Sequence, residues 1–294
     1  MTVQSQKSFA TSESGKLYLV PTPIGNLDDM TFRAVKLLHE VDLIAAEDTR
    51  NTQKLLNHFE VKTKQISFHE HNTESRIPEL ISKLQAGLNI AQVSDAGMPS
   101  ISDPGHELVN RCIENEIDVI SIPGPSAGLT SLIASGVAPQ PFLFYGFLNR
   151  KPKEQVAELE ELVNEKPTLI FYEAPHRLKK TITNLQKVFG NRQVTLGREL
   201  TKKYEEYIRG TLDEVLQWVQ TSQIRGEFVI IVAGNPTGSN SKDDKNQALM
   251  KLPVVEQVDE LIREGLKTNS AIKQVAKLND LVRQDVYNQY HDIN

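Results

Sequence analysis

Carboxylates and imidazoles that could perform acid–base chemistry are concentrated in short polar segments, each placed after an apolar run. One segment contains Glu47, Asp48 and Arg50, and another contains His69 and His71. Such a group, within hydrogen-bonding distance of a reacting proton, typically accelerates a reaction by about 10²–10⁴-fold. Adjacent side chains at a strand end point to opposite faces, so only one of Glu47 and Asp48 can address a cleft. A structural ion pair between Glu47 and Arg50 is the alternative.

The two histidines raise the question of a metal site. His69 and His71 are two positions apart, so on a strand both would point to one face and could share an ion. Loop histidines more often form hydrogen bonds or act as a general base. The chain has no cluster of Cys and His at zinc spacing. No metal is therefore predicted.

A long connection follows the apolar run that ends at Val93. Residues 93–105 read VSDAGMPSISDPG and contain two Gly, two Pro and few bulky side chains. Strand–helix connections usually take about 2–6 residues. A loop this long and this free of bulk is predicted to let a ligand lie against its backbone.

A second segment near the middle of the chain matches the sequence pattern of a nucleophile elbow. Ser126 stands in the sequence Gly-Pro-Ser-Ala-Gly, which fits the pattern G-x-S-x-G. No His or Asp partner is evident, so Ser126 is interpreted as a helix N-cap whose backbone N–H groups face a ligand. The usual dinucleotide and triphosphate motifs, G-x-G-x-x-G and G-x-x-x-x-G-K-[ST], are absent from the sequence.

The elements that must position these segments alternate between strands and helices. The first series predicts strands at 16–20, 42–46, 64–68, 89–94 and 118–122, and helices at 31–40, 51–59, 74–86 and 103–115, with N-caps at Thr31, Thr49 and Asp103. The second predicts strands at 142–147, 168–172, 193–198, 204–209 and 227–233, and helices at 125–135, 153–165, 176–189 and 212–221. Such alternation is typical of α/β folds, which bind ligands at the carboxyl ends of their strands. All the polar segments above fall at that edge.

The predicted organisation comprises five parts. They are a flexible tail (1–15), an N-terminal α/β domain (16–123), a C-terminal α/β domain (124–234), a linker (235–250) and a segment of three short helices resembling a helix-turn-helix (251–294). The helical segment could equally be an appendage packed on the main body. Cys112, the single cysteine, falls in a helical pattern and is predicted to be a buried thiol. With no signal-peptide pattern, this favours the cytoplasm.

The charge distribution is uneven along the chain. The net charge is −5, yet residues 145–210 carry 13 Lys and Arg against 9 Asp and Glu. A locally positive region in an acidic chain could contact a phosphate backbone, or it could be an ordinary solvated surface.

The same segments carry a family resemblance. The strings AEDTR, SFHEHN, VSDAGMPSISDPG, IPGPSA and FYEAPHRL, within residues 16–290, resemble the tetrapyrrole-methylase superfamily, and within it the branch that methylates small-subunit ribosomal RNA. The resemblance implies two α/β domains with S-adenosylmethionine in the cleft between them, a homodimer, and methyl transfer to the 2′-oxygen of a decoding-centre cytidine in 16S ribosomal RNA. The alternatives are a methyltransferase for a small tetrapyrrole-type molecule and a non-catalytic, nucleotide-responsive RNA-binding protein.

The resemblance also implies site residues. The cofactor contacts carried over are Pro23, Asp95, Gly97, Met98, Pro99, Ser100, Ser126, Ala127, Phe171, Tyr172, Gly226 and Glu227. For the acceptor, we predict Asp48 paired with Arg50, with His69 as an alternative base. Asp103 is expected to cap a helix. The RNA contacts predicted from the positive region are Arg177, Lys179, Lys180, Arg198, Lys202 and Lys203.

Overall fold

The computed structural model describes residues 4–10, 13–236, 246 and 249–291. The chain forms two compact units. One comprises Met1–Leu159 with Pro167–Ala233, and the other comprises Glu160–Lys166 with Gly234–Asn294. The larger unit contains both predicted α/β regions except residues 160–166 and 234.

The first sheet of the larger unit has five parallel strands in the order β3-β2-β4-β1-β5. The strands are β1 (Leu17–Leu19), β2 (Leu43–Ala46), β3 (Gln65–Ser67), β4 (Ile90–Val93) and β5 (Val119–Ser121). The interior strands β2 and β4 are buried along their whole length. Apolar clusters cover both faces, which explains why these strands are continuous apolar runs.

Helices connect these strands, as the alternation predicts. They are α1 (Phe32–Glu40), α2 (Thr49–His58), α3 (Thr73–Gln85), α4 (His106–Glu114) and α5 (Ala127–Ser135). Short 3₁₀ turns lie at Leu27–Asp29 and Glu70–Asn72. Thr31 caps α1 as predicted, because its hydroxyl accepts from the Ala34 N–H at 3.1 Å.

Two predicted caps are wrong. Asp48, not Thr49, caps α2, because its carboxylate accepts from the Arg50 N–H at 2.8 Å. Asp103 does not cap α4, which begins only at His106. The Asp103 carboxylate instead hydrogen-bonds the Ser94 side chain, and Gly105, with φ of 142°, interrupts the helical path before the helix starts.

The second sheet is mixed, with strand order β6-β7-β10-β8-β9. Its strands are β6 (Phe142–Phe147), β7 (Thr168–Glu173), β8 (Gln193–Arg198), β9 (Glu206–Thr211) and β10 (Phe228–Val232), and its helices are α6 (Pro152–Leu162), α7 (Pro175–Phe189) and α8 (Leu212–Thr221). Only β6 and β7 run parallel; β10 is antiparallel to β7 and β8, and β8 to β9. Three of the four strand pairs in this sheet are therefore antiparallel.

Helix α5 links the two sheets. It follows β5 of the first sheet, and its Leu132 packs with Ile170, Val229 and Ile231 of the second. This packing fixes the start of α5 where the two sheets meet. The fold class is therefore confirmed as α/β with two sheets and C-terminal helices.

The smaller unit is helical. Its helices are α9 (Val254–Arg263), α10 (Thr268–Leu278) and α11 (Arg283–Tyr290), and they bury Val258, Ile272, Val275 and Val286 against one another. Most of the predicted linker 235–250 lies outside the described residues, as do 1–3 and 11–12 of the predicted tail. In the described part of the tail, the Gln6 side chain exchanges two hydrogen bonds with the Val119 backbone. None of the described helices is both long and apolar enough to span a membrane.

Candidate functional site

A cavity of about 740 Å³ opens where the carboxyl ends of the first sheet meet the second sheet. This volume lies within the range of small-molecule sites, about 300–1,000 Å³. Loops after β1, β2, β4 and β5 form one wall, and β6, β7, β8 and β10 form the other. The lining residues used below are Glu47, Asp95, Gly97, Met98, Asp103, Ser126, Ala127, Gly128, Phe144, Phe147, Ile170, Tyr172, Glu173, Lys202, Glu227 and Val229.

The long loop after β4 is held from beneath by a buried glutamine. Gln92 donates from Nε2 to the Pro104 carbonyl at 2.8 Å and to the Ser100 hydroxyl at 3.2 Å. A Cβ at Gly105 would lie 1.9 Å from that amide nitrogen, so only glycine allows this approach. The loop predicted from its composition is therefore fixed by its supporting side chain.

The same loop is tied to the loop after β1. Thr22 and Gly97 exchange two backbone hydrogen bonds of 3.0 Å, and Gly97 adopts φ of 76°. A left-handed conformation suits glycine because it has no Cβ. The tie engages both polar backbone groups of Gly97 and holds this residue, which has no side chain, at the cavity wall.

Asp95 joins the loops after β2 and β4. Its carboxylate accepts from the Asp48 N–H at 3.2 Å and from the Asn51 side-chain amide at 3.0 Å. In return, Glu47 accepts from the Asp95 N–H at 3.2 Å. The two loops thus support each other through two acidic side chains that both line the cavity.

The carboxylates differ in their electrostatic environment. Burial raises the pKa of Glu47, and the negative charges of Asp103, Asp95 and Asp48 add to that rise. Burial also raises the pKa of Asp103. By contrast, the hydrogen bonds from Arg50 lower the pKa of Asp48 to about 2. Ionisation is therefore costly at Glu47 and favourable at Asp48.

The structure brings Asp48 and Arg50 together but does not place them on the cavity wall. Their closest charged atoms are 2.7 Å apart, and the Arg50 side chain is 87% exposed. Glu47 forms no ion pair with Arg50 in the described structure; it is Glu47 that lines the cavity. The sequence predicts that only one of the two adjacent carboxylates faces the cleft and selects Asp48, but the residue on the cavity wall is Glu47, because Asp48 is turned towards Arg50 and the start of α2.

His69 also lies outside the cavity lining. It follows β3, which is the edge strand and is separated from β1 by β2 and β4. Strands are about 4.8 Å apart, so this loop is roughly 14 Å from the end of β1. The ring contacts the Asn72 side chain at 3.4 Å, and Nδ1 is buried without a hydrogen-bond partner among the described residues.

The wall formed by the second sheet is mostly apolar. Phe144, Ile170 and Val229 lie on one face of adjacent strands and line the cavity with Tyr172. Tyr172 accepts a hydrogen bond from the Gly128 N–H at 3.1 Å and contacts the Ser126 side chain, while burial raises its pKa. Ser126 holds the N-cap position of α5 but does not cap the helix with its own side chain. The first-turn amides of α5 thus border the cavity.

A buried ion pair supports this wall. The Glu173 side chain is fully buried, and it accepts from Arg177 Nε at 3.1 Å and from the Ala174 N–H at 2.9 Å. The Thr181 hydroxyl also donates to it. Arg177 in turn donates to the Leu148 carbonyl at 2.7 Å. The pair therefore connects β7, α7 and the loop after β6.

The predicted cofactor residues divide into two groups. Those on the cavity wall are Asp95, Gly97, Met98, Ser126, Ala127, Tyr172 and Glu227. Pro23 lines a smaller neighbouring cavity of about 200 Å³, and Pro99, Ser100, Phe171 and Gly226 lie outside the lining of both. Phe171 is fully buried, because its side chain points to the other face of β7 from Tyr172.

The predicted RNA residues also differ from one another. Lys179, Lys180 and Lys203 are exposed, whereas Arg177 is committed to Glu173 with only 17% of its side chain exposed. Arg198 donates to Glu206 and to the Arg225 carbonyl. Lys202 lines the cavity, where it pairs with Glu199 and Glu227 at 3.1 and 2.8 Å.

Several lining residues were not predicted from the sequence. Phe144, Ile170 and Val229 look like ordinary strand core, and no local signal separates them from residues of the opposite face. Asp103 was assigned to a helix cap. In the sequence, Asp103 lies eight residues after Asp95 in the same long loop, and this proximity indicates that both side chains can line one cavity.

Comparisons with known proteins agree with this geometry. Residues 16–216 match the sequence profile of the Tetrapyrrole (Corrin/Porphyrin) Methylases. A Streptococcus pyogenes protein named Ribosomal RNA small subunit methyltransferase I is 53% identical over 292 residues, covering 99% of this chain and 100% of that protein. A Bacillus subtilis protein of the same name is 50% identical over 98% of this chain and 99% of its own length.

Solved structures resemble about three quarters of the chain. Uroporphyrin-III C-methyl transferase from Thermus thermophilus, complexed with S-adenyl homocysteine, superposes with a TM-score of 0.55 at 20% identity, covering 74% of this chain and 97% of that one. Cobalt precorrin-4 methyltransferase gives 0.57 at 18% identity, with 74% and 94% covered. At these identities the likeness concerns the fold. The sequence profile and the near-full-length relatives place the chain in the tetrapyrrole methylase family, in the branch of the ribosomal RNA small subunit methyltransferase I proteins.

Proposed function

We propose that the chain transfers a methyl group from S-adenosylmethionine to the ribose 2′-oxygen of a decoding-centre cytidine in 16S ribosomal RNA. The coarser activity, methylation of small-subunit ribosomal RNA with S-adenosylmethionine as cofactor, rests on relatives that share about half of all residues over nearly the whole chain. The structural observation that supports it is the cavity of about 740 Å³ at the carboxyl edge of the first sheet.

The residues around the cavity fit the cofactor. An adenosine and an amino-acid end need main-chain donors and acceptors, which the glycine-rich loop after β4 and the first turn of α5 offer. The apolar wall of Phe144, Ile170 and Val229 suits the uncharged parts of the molecule. When bound, the cofactor supplies a methyl group activated by a sulfonium. We assign its contacts to the lining members of the predicted set, and keep Pro23, Pro99, Ser100, Phe171 and Gly226 as predictions.

The acceptor RNA would be positioned by the exposed lysines. Lys179, Lys180 and Lys203 carry the free positive charge expected of phosphate contacts, while Arg177, Arg198 and Lys202 are engaged within the protein. Phe147 is 55% exposed and lines the cavity, so it is placed to stack on an unpaired base. The roles predicted for Asp48, Arg50 and His69 in catalysis rest on their residue types and their positions after β2 and β3, and none of the three lines the cavity.

Two further features belong to the proposal. We expect a homodimer, as the family resemblance implies, and a cytoplasmic location, which the single buried cysteine favours. We also retain the two predicted α/β domains at 16–123 and 124–234. Light scattering at micromolar concentration tests the dimer, and a monomeric mass would contradict it.

Methyl transfer with isotope-labelled cofactor tests the function. Naked 16S RNA and small subunits from a strain lacking this protein should accept label, and nucleoside mass spectrometry should place it on the ribose of one cytidine. Lys179→Ala combined with Lys180→Ala should weaken RNA binding and reduce its salt dependence, and Lys36→Ala, an exposed lysine on α1, is the control.

Other results would decide for the alternatives. Label on a base would contradict the 2′-oxygen assignment, and label only on a porphyrin-type compound would favour a small-molecule methyltransferase. Binding of both ligands without transfer to either RNA form would indicate a non-catalytic RNA-binding protein.

A further inference from the structure

We infer that Glu47 is the catalytic base that accepts the proton of the ribose 2′-hydroxyl. This inference rests on the proposed function and specifies its acceptor side. Its basis is the position of one carboxylate: Glu47 is at the carboxyl end of β2, on the wall of the cavity to which the cofactor contacts are assigned.

The Glu47 carboxylate is both fixed and accessible. Its Oε2 accepts from the Asp95 N–H at 3.2 Å, which holds the side chain beside a loop that carries assigned cofactor contacts. Oε1 receives no hydrogen bond from any residue that the structure describes. One oxygen therefore anchors the group and the other remains able to accept a proton from a hydroxyl.

Its neighbour on the chain is unsuited to the same task. Asp48 caps α2, accepts three hydrogen bonds from the backbone and side chain of Arg50, and does not line the cavity. With a pKa of about 2, it holds a proton weakly. A base becomes more effective as its pKa approaches the working pH, so Glu47 is the better proton acceptor of the two.

The surroundings of Glu47 explain its proton affinity. The charged groups that face it are Asp95 and Asp103 from the loop after β4 and Asp48 from its own loop. Lys202, on the opposite wall, is neutralised by Glu199 and Glu227. The negative side chains oppose ionisation of Glu47, and a proton gained there relieves that repulsion.

The step balances as follows. A lone pair of the ribose 2′-oxygen forms the new O–C bond to the methyl carbon, and the C–S bond breaks with its electron pair remaining on sulfur. The hydroxyl proton passes to the Glu47 carboxylate and is later released to water. The positive charge of the sulfonium is thereby converted into one released proton.

Kinetics of two carboxylate variants test the assignment. Glu47→Gln should lower kcat by about 10²–10⁴-fold, with small changes in KM for RNA and in cofactor affinity measured by calorimetry. Asp48→Asn should lose much less in kcat, and Glu114→Gln, an exposed carboxylate on α4, should be unchanged. The reverse order of the first two variants, or a fully active Glu47→Gln enzyme, would overturn the inference.

The pH profile provides a second measurement. Wild-type kcat should fall at low pH as Glu47 becomes protonated, with its midpoint above the ordinary glutamate pKa of about 4.3. Glu47→Asp should keep that limb at reduced rate, whereas Glu47→Gln should lack it. Asp103→Asn should move it to lower pH by removing a negative neighbour. An acid limb that persists unchanged in Glu47→Gln would contradict the assignment.

A readout without turnover separates this inference from the proposed function. Because the pKa of Glu47 is raised in the folded protein, the folded state binds this proton more tightly than the unfolded chain does. The wild-type protein therefore loses stability as the pH rises from the pKa of the unfolded chain through the pKa of the folded protein. Glu47→Gln should therefore raise Tm relative to wild type at pH 7 and not at pH 4. A wild-type enzyme that never labels RNA refutes the proposed function; an active wild type without these Glu47 effects refutes only the base.

Discussion

The two sheets of the larger unit contribute to the cavity in different ways. The first contributes loops, because its parallel strands all end at one edge and their connections carry Glu47, Asp95 and Asp103. The second contributes strand faces, because Phe144, Ile170 and Val229 lie on one face of adjacent strands and line the cavity. Since β10 runs antiparallel to β7 and β8, Phe228 at its start pairs with Glu173 and Arg198 at the carboxyl ends of those strands. Polar chemistry is thus concentrated on one wall and apolar packing on the other.

The two walls are also held in place by different kinds of contact. Loops of the first sheet are fixed by side chains beneath or between them, such as Gln92 and Asp95. The wall of the second sheet is fixed by a hydrophobic cluster and the buried pair of Glu173 and Arg177. Substitutions in the two walls should therefore have different consequences for stability and for ligand binding.

The largest expected effect comes from breaking the buried pair. Glu173→Ala leaves Arg177 and the Thr181 hydroxyl without their shared acceptor, and removal of one partner of a buried pair typically costs about 3–5 kcal/mol. Urea denaturation measures the loss. Lys179→Ala, exposed on the same helix, is the control. A loss below 1 kcal/mol would show that the second wall does not depend on this pair.

A smaller effect is expected from the loop wall. Gly97→Ala adds a Cβ at 3.4 Å from Ile24 and 3.5 Å from the Pro125 carbonyl in a left-handed backbone, which costs about 1–2 kcal/mol. Because the Gly97 backbone is an assigned cofactor contact, calorimetry should also show weaker S-adenosylmethionine binding. Gly136→Ala, at φ of 81° with no atom within 4 Å, is the matched control for strain alone. Equal cofactor affinity in the two variants would remove Gly97 from the site.

A still smaller loss of stability is expected when the hydrogen bond between the two walls is removed. Tyr172→Phe removes the acceptor of the Gly128 N–H while preserving the ring, and a single hydrogen bond contributes about 0.5–1.5 kcal/mol. The start of α5 should become less ordered, so hydrogen exchange at Gly128 should accelerate. Tyr145→Phe, a tyrosine on β6, is the comparison. Unchanged exchange at Gly128 would show that Tyr172 does not order this turn.

The comparison also explains what could be predicted from the sequence. Apolar runs alternating with amphipathic patterns specify the elements, and the rule that ligands bind at carboxyl edges selects the loops. Strand order is not encoded locally, so nothing near His69 indicates that β3 lies at the edge. Similarly, the rotation of β2 decides whether Glu47 or Asp48 faces the cavity, and Arg177 reads as a surface charge until Glu173 is seen beside it.

The last prediction is that the two sheets unfold together, so that probes in each report the same transition. Cys112, the single cysteine, is buried beneath the first sheet, where burial raises the pKa of its thiol to about 12, and Trp218, the single tryptophan, lies on α8 beside the second. Both belong to one compact unit, so thiol labelling and tryptophan fluorescence should give the same urea midpoint. The thiol should be unreactive in the native protein at pH 8. Labelling that precedes the fluorescence change would show that the loop-bearing sheet opens independently, in which case α5 does not couple the two walls.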